Sequence, residues 1–263
     1  MLSLQDQHTT ATAQAATGAG EYRGTFSWTL RSMPVMRFLF ATTTVFLTVS
    51  LLGQWFLRDH PTSDVAGKVM RATNVGLEGN LPSLYNAALL LACALLLGLL
   101  ASGSRPCGTA DARGWRLLTW VFAYLTADEY LHFHEMLTAP MRGLLRVDGL
   151  LHYAWVVPYA VLGIILFVNL LPFLRRLPGR VFRNMLIAGA VYIAGAMGLE
   201  MIGGKVDTLF GENSLALVIL STIEEGLEMF ALTFFIGVLI GYVREQRPDT
   251  TLNVALTPEP GTI

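Results

Sequence analysis

Charge is scarce in this chain, and so is sulfur. Only 14% of the 263 residues are charged, against about a quarter in an ordinary soluble domain. With 53% hydrophobic residues and a mean hydropathy of +0.52, the composition is that of a membrane protein. Eighteen basic and 19 acidic residues leave a net charge of −1. The basic ones fall in loops rather than in one stripe, which speaks against a nucleic-acid partner. There are two cysteines, Cys93 in an apolar run and Cys107 in a polar loop, so neither a disulfide framework nor a thiolate metal site is implied. No motif for nucleotides, haem or a nucleophilic serine stands out. A cleavable signal peptide is lacking too: residues 1–24 are polar and rich in Ala, Thr and Gly, without a basic start and short apolar core.

Long apolar runs are what the chain has in quantity. A bilayer crossing takes about 20 residues, and six segments reach that length, near 36–57, 83–101, 117–138, 154–173, 184–203 and 214–243. The expected fold is all-α, a six-helix transmembrane bundle over 36–243. A polar tail over 1–35 and a second tail over 244–263 flank it, both cytoplasmic. Twelve Lys and Arg fall in the segments that would then face inward and six in those facing outward, a bias that follows the positive-inside rule. Arg175, Arg176, Arg180 and Arg183, in the connection between the fourth and fifth spans, are its strongest anchor. Trp28, Trp55, Trp115, Trp120 and Trp155 fall near span ends, as interfacial aromatic belts predict. The expected location is the plasma membrane, the inner membrane of a bacterium. The connection over 58–82 is read as an exposed loop, with a cap over the outer mouth as the alternative and a short helix around 63–73, and Pro158 as a kink in the fourth span.

Against this apolar background, residues 126–135, TADEYLHFHE, place Asp128, Glu129, His132, His134 and Glu135 inside a span. Ionisable groups at membrane depth are costly and mark function by default. On a straight helix, at about 100° per residue, Asp128, Glu129, His132 and Glu135 share a wedge of roughly 140° that Tyr124 extends inward, while His134 points away. Glu224, Glu225, Glu228 and Ser221 share a similar wedge on the sixth helix. The fifth contributes Glu200, on a face with Gly189, Ala196, Gly203 and Gly204 that invites close helix packing. All these acids fall in the middle-to-outer part of the bilayer. So do Gln54, Asn86, His152, Tyr153 and Tyr159. One polar pocket reached from outside accounts for the pattern.

Seven carboxylates there face no Lys or Arg at the same depth, and in a low dielectric they cannot all stay ionised. A bound metal, retained protons or a water-filled cavity must supply the balance. Glu129-x-x-His132 has the i, i+3 spacing that projects a carboxylate and an imidazole to one side. It resembles the Glu-x-x-His motif of di-iron and di-manganese carboxylate bundles, although Glu225-x-x-Glu228 stands where the second such motif would be. The expected metal ligands are Asp128, Glu129, His132, Glu200, Glu224 and Glu228. Glu135 and Glu225 are the expected proton-transferring groups, and His152 and His134 are held in reserve. This oxygen-rich set suits a divalent ion, iron, manganese or zinc. More broadly, the order of a DE…HE helix, a Gly-Leu-Glu helix and a Glu-Glu…Glu-Met helix, over about 117–243, is similar to multi-pass bacterial membrane proteins with no assigned activity.

Three functions stay open on these grounds. One is a metal-dependent membrane oxidoreductase or hydrolase acting on a small or lipophilic substrate. Another is a cation- or proton-coupled transporter, for which paired acids on the third and sixth helices hint at an inverted repeat. The repeated Gly-Leu-Glu-Met at 198–201 and 226–229 breaks that register. The third is a non-catalytic assembly or sensor subunit whose acids pair with a protein partner. The lipid bilayer is the one partner common to all.

Overall fold

A computed structural model describes residues 32–58, 64–102, 108–211 and 214–246. The expected tails up to residue 31 and from 247, with Trp28 and Cys107, lie outside the described residues. Nine α-helices are present among those described: α1 Ser32–Arg58, α2 Asp64–Thr73, α3 Leu81–Ser102, α4 Gly108–Leu131, α5 Phe133–Leu145, α6 Val156–Leu174, α7 Gly179–Ile193, α8 Glu200–Phe210 and α9 Leu215–Gln246. No strand occurs among them. Helices are the form in which apolar segments this long satisfy their own backbone inside lipid.

Five helical stretches are long and apolar enough to cross a membrane, and they make the chain a membrane protein: Ser32–Phe56, Leu81–Ser102, Val156–Leu174, Gly179–Phe210 and Leu215–Gln246. The stretch expected to be the third span differs in two ways. Every 18-residue window of α4 carries at least three charged residues, drawn from Asp111, Arg113, Arg116, Asp128 and Glu129. The helix also stops at Leu131, because His132 takes a left-handed conformation with φ 57° and ψ 40°. Asp128 accounts for the break. Its Oδ1 accepts the His134 backbone N–H at 3.0 Å, taking a donor that an uninterrupted helix would spend on its own ladder. Residues 117–138 are therefore two helices, and the straight-helix projection ends at Leu131.

The 32-residue stretch Gly179–Phe210 crosses as one piece through a π-helical turn at Ala194–Leu199. An extra residue in a turn rotates everything beyond it, so the small residues do not all share the expected face. The close approaches are at Gly195 and Gly204, whereas Gly189 has open space around it. A Cβ on Gly195 would lie 3.0 Å from the Glu224 carbonyl oxygen and 3.2 Å from Glu228 Cγ. The turn thus lets the chain meet α9 where α9 carries its acids.

Helix α9 is the hub, packed against α1, α3, α7, α8 and the π turn. Helices α3 and α4 form the most extensive pair. One half of the bundle is apolar throughout. Leu97, Trp115, Phe173, Leu239 and Tyr242 fill it, with Trp115 edge-on to Phe173 at 4.9 Å and 5.5 Å from Tyr242 between ring centres. Cys93 is fully buried there. Arg176 Nε, 2.8 Å from Asp111 Oδ1, closes that end. Pro158 does not kink α6. It sits in the first turn, where its missing N–H has no intrahelical partner to lose.

Lipid tails are as apolar as leucine, so contacts through small residues hold such helices together more than hydrophobic burial does. Gly195→Val should therefore lower the thermal midpoint of the detergent-solubilised protein by the equivalent of about 1–3 kcal/mol of overpacking. Gly189→Ala should leave it unchanged or slightly raised. Equal midpoints for the two variants would show that the π turn does not set this approach.

Candidate functional site

The other half of the bundle is polar, and its residues sort into three linked groups. The first is built at the α4–α5 break. Buried Asp128 accepts the Tyr159 hydroxyl at 2.8 Å on Oδ1, and its Oδ2 lies 3.2 Å from His134 Nδ1. Tyr159 from α6 is itself 2.7 Å from the Tyr124 hydroxyl of α4. The His134 ring lies on Trp155 at 4.8 Å between centres, and Trp155 Nε1 donates to Glu200 Oε1 at 3.0 Å. The break has thus turned His134 inward, against the straight-helix expectation.

His132 turns the other way and meets the second group. Its Nδ1 lies 2.8 Å from Glu78 Oε2, in the segment just before α3. That segment is held by its own polar network. Asn74 Oδ1 accepts from Gln54 Nε2 at 2.9 Å and from the Gly76 N–H at 3.0 Å. Ser50 Oγ accepts the Val75 N–H at 3.0 Å, and Asn80 Nδ2 donates to the Asn74 carbonyl at 2.6 Å. Gly79, at φ +70°, brings the chain so close that a Cβ there would sit 3.8 Å from His132 Nε2. The short helix foreseen around 63–73 is present as α2. The stretch between α2 and α3 is not an exposed loop: Val75 is buried, and residues 74–80 lie across the polar groups.

The third group lies between α3, α4, α8 and α9. Asn86, fully buried on α3, donates through Nδ2 to Glu129 Oε1 at 3.2 Å and lies beside the Glu228 carboxyl. Its own Oδ1 has no partner. The Glu200 and Glu224 carboxyls lie beside each other. Glu228 is buried, while Glu129, Glu200, Glu224 and Glu225 are half-buried. Among the described residues, no Lys or Arg makes an ion pair with any of these acids.

Of the expected ligands, Asp128, Glu129, Glu200, Glu224 and Glu228 face this shared region, with Glu225 beside them. His132 does not join them, being taken up by Glu78. Glu135 is exposed on α5. Among the described residues, no three His, Cys, Asp or Glu side chains converge tightly enough to hold a metal ion. The helix break explains this, because it separates His132 from the Glu129 face that the i, i+3 spacing promised. His152 belongs to a separate rim cluster, 2.9 Å from Asp148 Oδ1, 3.1 Å from Arg142 Nη1 and 3.6 Å from Asp207 Oδ2. The His152 contact and the Gly149 N–H hold the exposed Asp148 carboxyl below its usual range.

The residue that spacing arguments missed is Glu78, which lies outside every span. A signal for it exists: Gly-Leu-Glu occurs three times, at 76–78, 198–200 and 226–228, each time ending in an acid of this region.

The sequence profile of a domain of unknown function, DUF8692, matches residues 37–241. The chain belongs to that family. No curated protein and no solved structure matches it. The DUF8692 match contains every acid, histidine and tyrosine of the three groups.

Burial raises the Glu78 carboxyl above its ordinary 4.5, against the pull of His134 and His132 beside it. The folded protein then holds a proton that the unfolded chain has already released. That contribution to stability is present at acid pH and fades as pH rises through the raised value. Glu78→Gln, which keeps a neutral side chain of the same shape, should gain in thermal midpoint relative to the wild type as pH goes from about 4 to 8. A difference that stays constant or runs the other way would count against a buried, protonating Glu78.

Proposed function

We propose that this DUF8692 protein is a six-span membrane protein in which α4 makes the third crossing, with both termini cytoplasmic in a bacterial inner membrane. Its carboxylate half opens toward the outer side and exchanges protons for a divalent cation, iron, manganese or zinc. The site then serves metal-dependent oxidoreductase or hydrolase chemistry on a small or lipophilic substrate. One observation carries this reading. Acids from α4, α8 and α9 come together in one half of the bundle with an imidazole beside them, and among the described residues no Lys or Arg pairs with them.

The donor set fits such an ion by its chemistry. Asp128, Glu129, Glu200, Glu224 and Glu228 supply oxygens and His134 a nitrogen, which suits a hard or borderline divalent ion. The unpartnered Asn86 Oδ1 is a further neutral oxygen in the same region. His134 takes the place that spacing gave to His132. A bound divalent ion would supply Lewis acidity or an activated water. The chain's own residues would hold and pass protons, with the Glu200 and Glu224 carboxyls side by side and Glu225 and Glu135 as the groups that carry them to and from the solution.

Transport is the second reading, favoured by that same carboxyl–carboxyl pair, because coupled carriers need acids that alternate between a proton and an ion. The continuous packing of Leu97, Trp115, Phe173 and Leu239 in the apolar half weighs against a second access route.

Elemental analysis of the detergent-purified chain should find iron, manganese or zinc at a stoichiometry near one or two per chain. Asp128→Asn and Glu224→Gln should each lower it at least tenfold. Retention of no metal, with both variants indistinguishable from wild type, would falsify the metal reading. Metal or proton flux in proteoliposomes that these substitutions abolish would decide for transport.

A further inference from the structure

The polarity of one hydrogen-bond chain specifies what can bind at its outer end. Asp128 Oδ1 accepts two donors, the His134 N–H at 3.0 Å and the Tyr159 hydroxyl at 2.8 Å. Tyr159 has a single proton and spends it there. In the 2.7 Å contact between the Tyr159 and Tyr124 hydroxyls, Tyr124 must then be the donor. Its proton is committed inward, and its oxygen has lone pairs left over.

Tyr124 is 43% exposed and lies seven residues before the end of α4, about 10 Å along the axis. Among the described residues, Tyr159 is its one hydrogen-bond partner. The Tyr124–Tyr159 contact lies at the exposed surface of the bundle, and with α4 as the third crossing that surface faces the bilayer, where an unsatisfied polar atom is costly. One turn away on the same helix face is Trp120, 73% exposed, a flat apolar surface at i, i+4 spacing from Tyr124.

We propose that Tyr124 and Trp120 form a lateral binding site for a lipophilic hydroxyl compound, an alcohol or phenol with an apolar body, that reaches the carboxylate half from within the bilayer. The ligand's O–H donates to the Tyr124 oxygen, and its apolar body lies on Trp120. Tyr159 connects it to Asp128. An acceptor-only compound, such as the corresponding methyl ether, finds no donor there. As an identification of the substrate this rests on the proposed cation site; as a binding site it stands independently of the metal.

The test uses the full chain in nanodiscs of phosphatidylcholine, whose headgroup carries no hydrogen-bond donor. A brominated alkylphenol and its methyl ether are titrated while saturable quenching of tryptophan fluorescence is followed. The phenol should bind at least tenfold more tightly than the ether. Tyr124→Phe should remove that preference, and Tyr130→Phe, which changes another exposed tyrosine of α4, should keep it. Tyr159→Phe gives a second arm that does not depend on losing Tyr124. With no oxygen to receive its proton, Tyr124 can donate outward, so the ether should gain and the preference shrink toward parity. Equal binding of phenol and ether by the wild type, or a preference unchanged in both Tyr124→Phe and Tyr159→Phe, overturns the proposal. Metal content measured on the same samples separates the two readings. A phenol preference without metal sinks the cation site alone, and metal without the preference sinks the lateral site alone.

Discussion

The constraint on which the rest depends is that, among the described residues, Asp128, Glu129, Glu200, Glu224, Glu225 and Glu228 form no ion pair with a Lys or Arg. Every other arrangement in the polar half comes from finding them neutral or protonated partners. Asn86 is placed between Glu129 and Glu228, Trp155 against Glu200, and Tyr159 against Asp128. Glu200 and Glu224 lie beside each other. The packing obeys the same need. Gly195 and the π turn bring the chain onto α9 at Glu224 and Glu228, an approach that any larger side chain would hold off.

Asp128 shows how one residue can serve backbone and chemistry together. Its carboxylate draws in the His134 N–H and so ends α4. The break sends His132 toward Glu78 and His134 toward Trp155. A non-glycine residue in the left-handed region costs of order 1 kcal/mol and persists where its surroundings hold it there. The His132–Glu78 contact is what holds it. The segment before α3 is consequently fastened to the α4–α5 junction from above.

Much of this was legible in the sequence. Hydropathy alone located the five long apolar helices, because each holds an apolar window of 18 residues with at most two charges. The acids of α9 were legible as one face because α9 is a single unbroken helix, so its wheel geometry holds from Leu215 to Gln246. The same reasoning failed at 126–135. It assumed a straight helix where a side chain competes for a backbone donor, and it consequently exchanged the directions of the two histidines. The π turn was hidden for a similar reason, since an extra residue in a turn leaves no mark on composition. Glu78 escaped notice because membrane depth was the criterion for interest. A residue that folds over a site from a loop carries no depth signal.

The sealed apolar half has an electrical consequence. With the carboxylate half open to the outer side as proposed, the dielectric that separates the two aqueous phases is the layer around Leu97, Trp115, Phe173 and Leu239. The membrane voltage then falls mostly across that layer, where one elementary charge carried through would gain or lose about 2.3 kcal/mol per 100 mV. A cation bound as proposed among Asp128, Glu200 and Glu228 would stop short of the drop. Its occupancy would then be governed by the pH and composition of the outer solution, and hardly by whether the cell is energised.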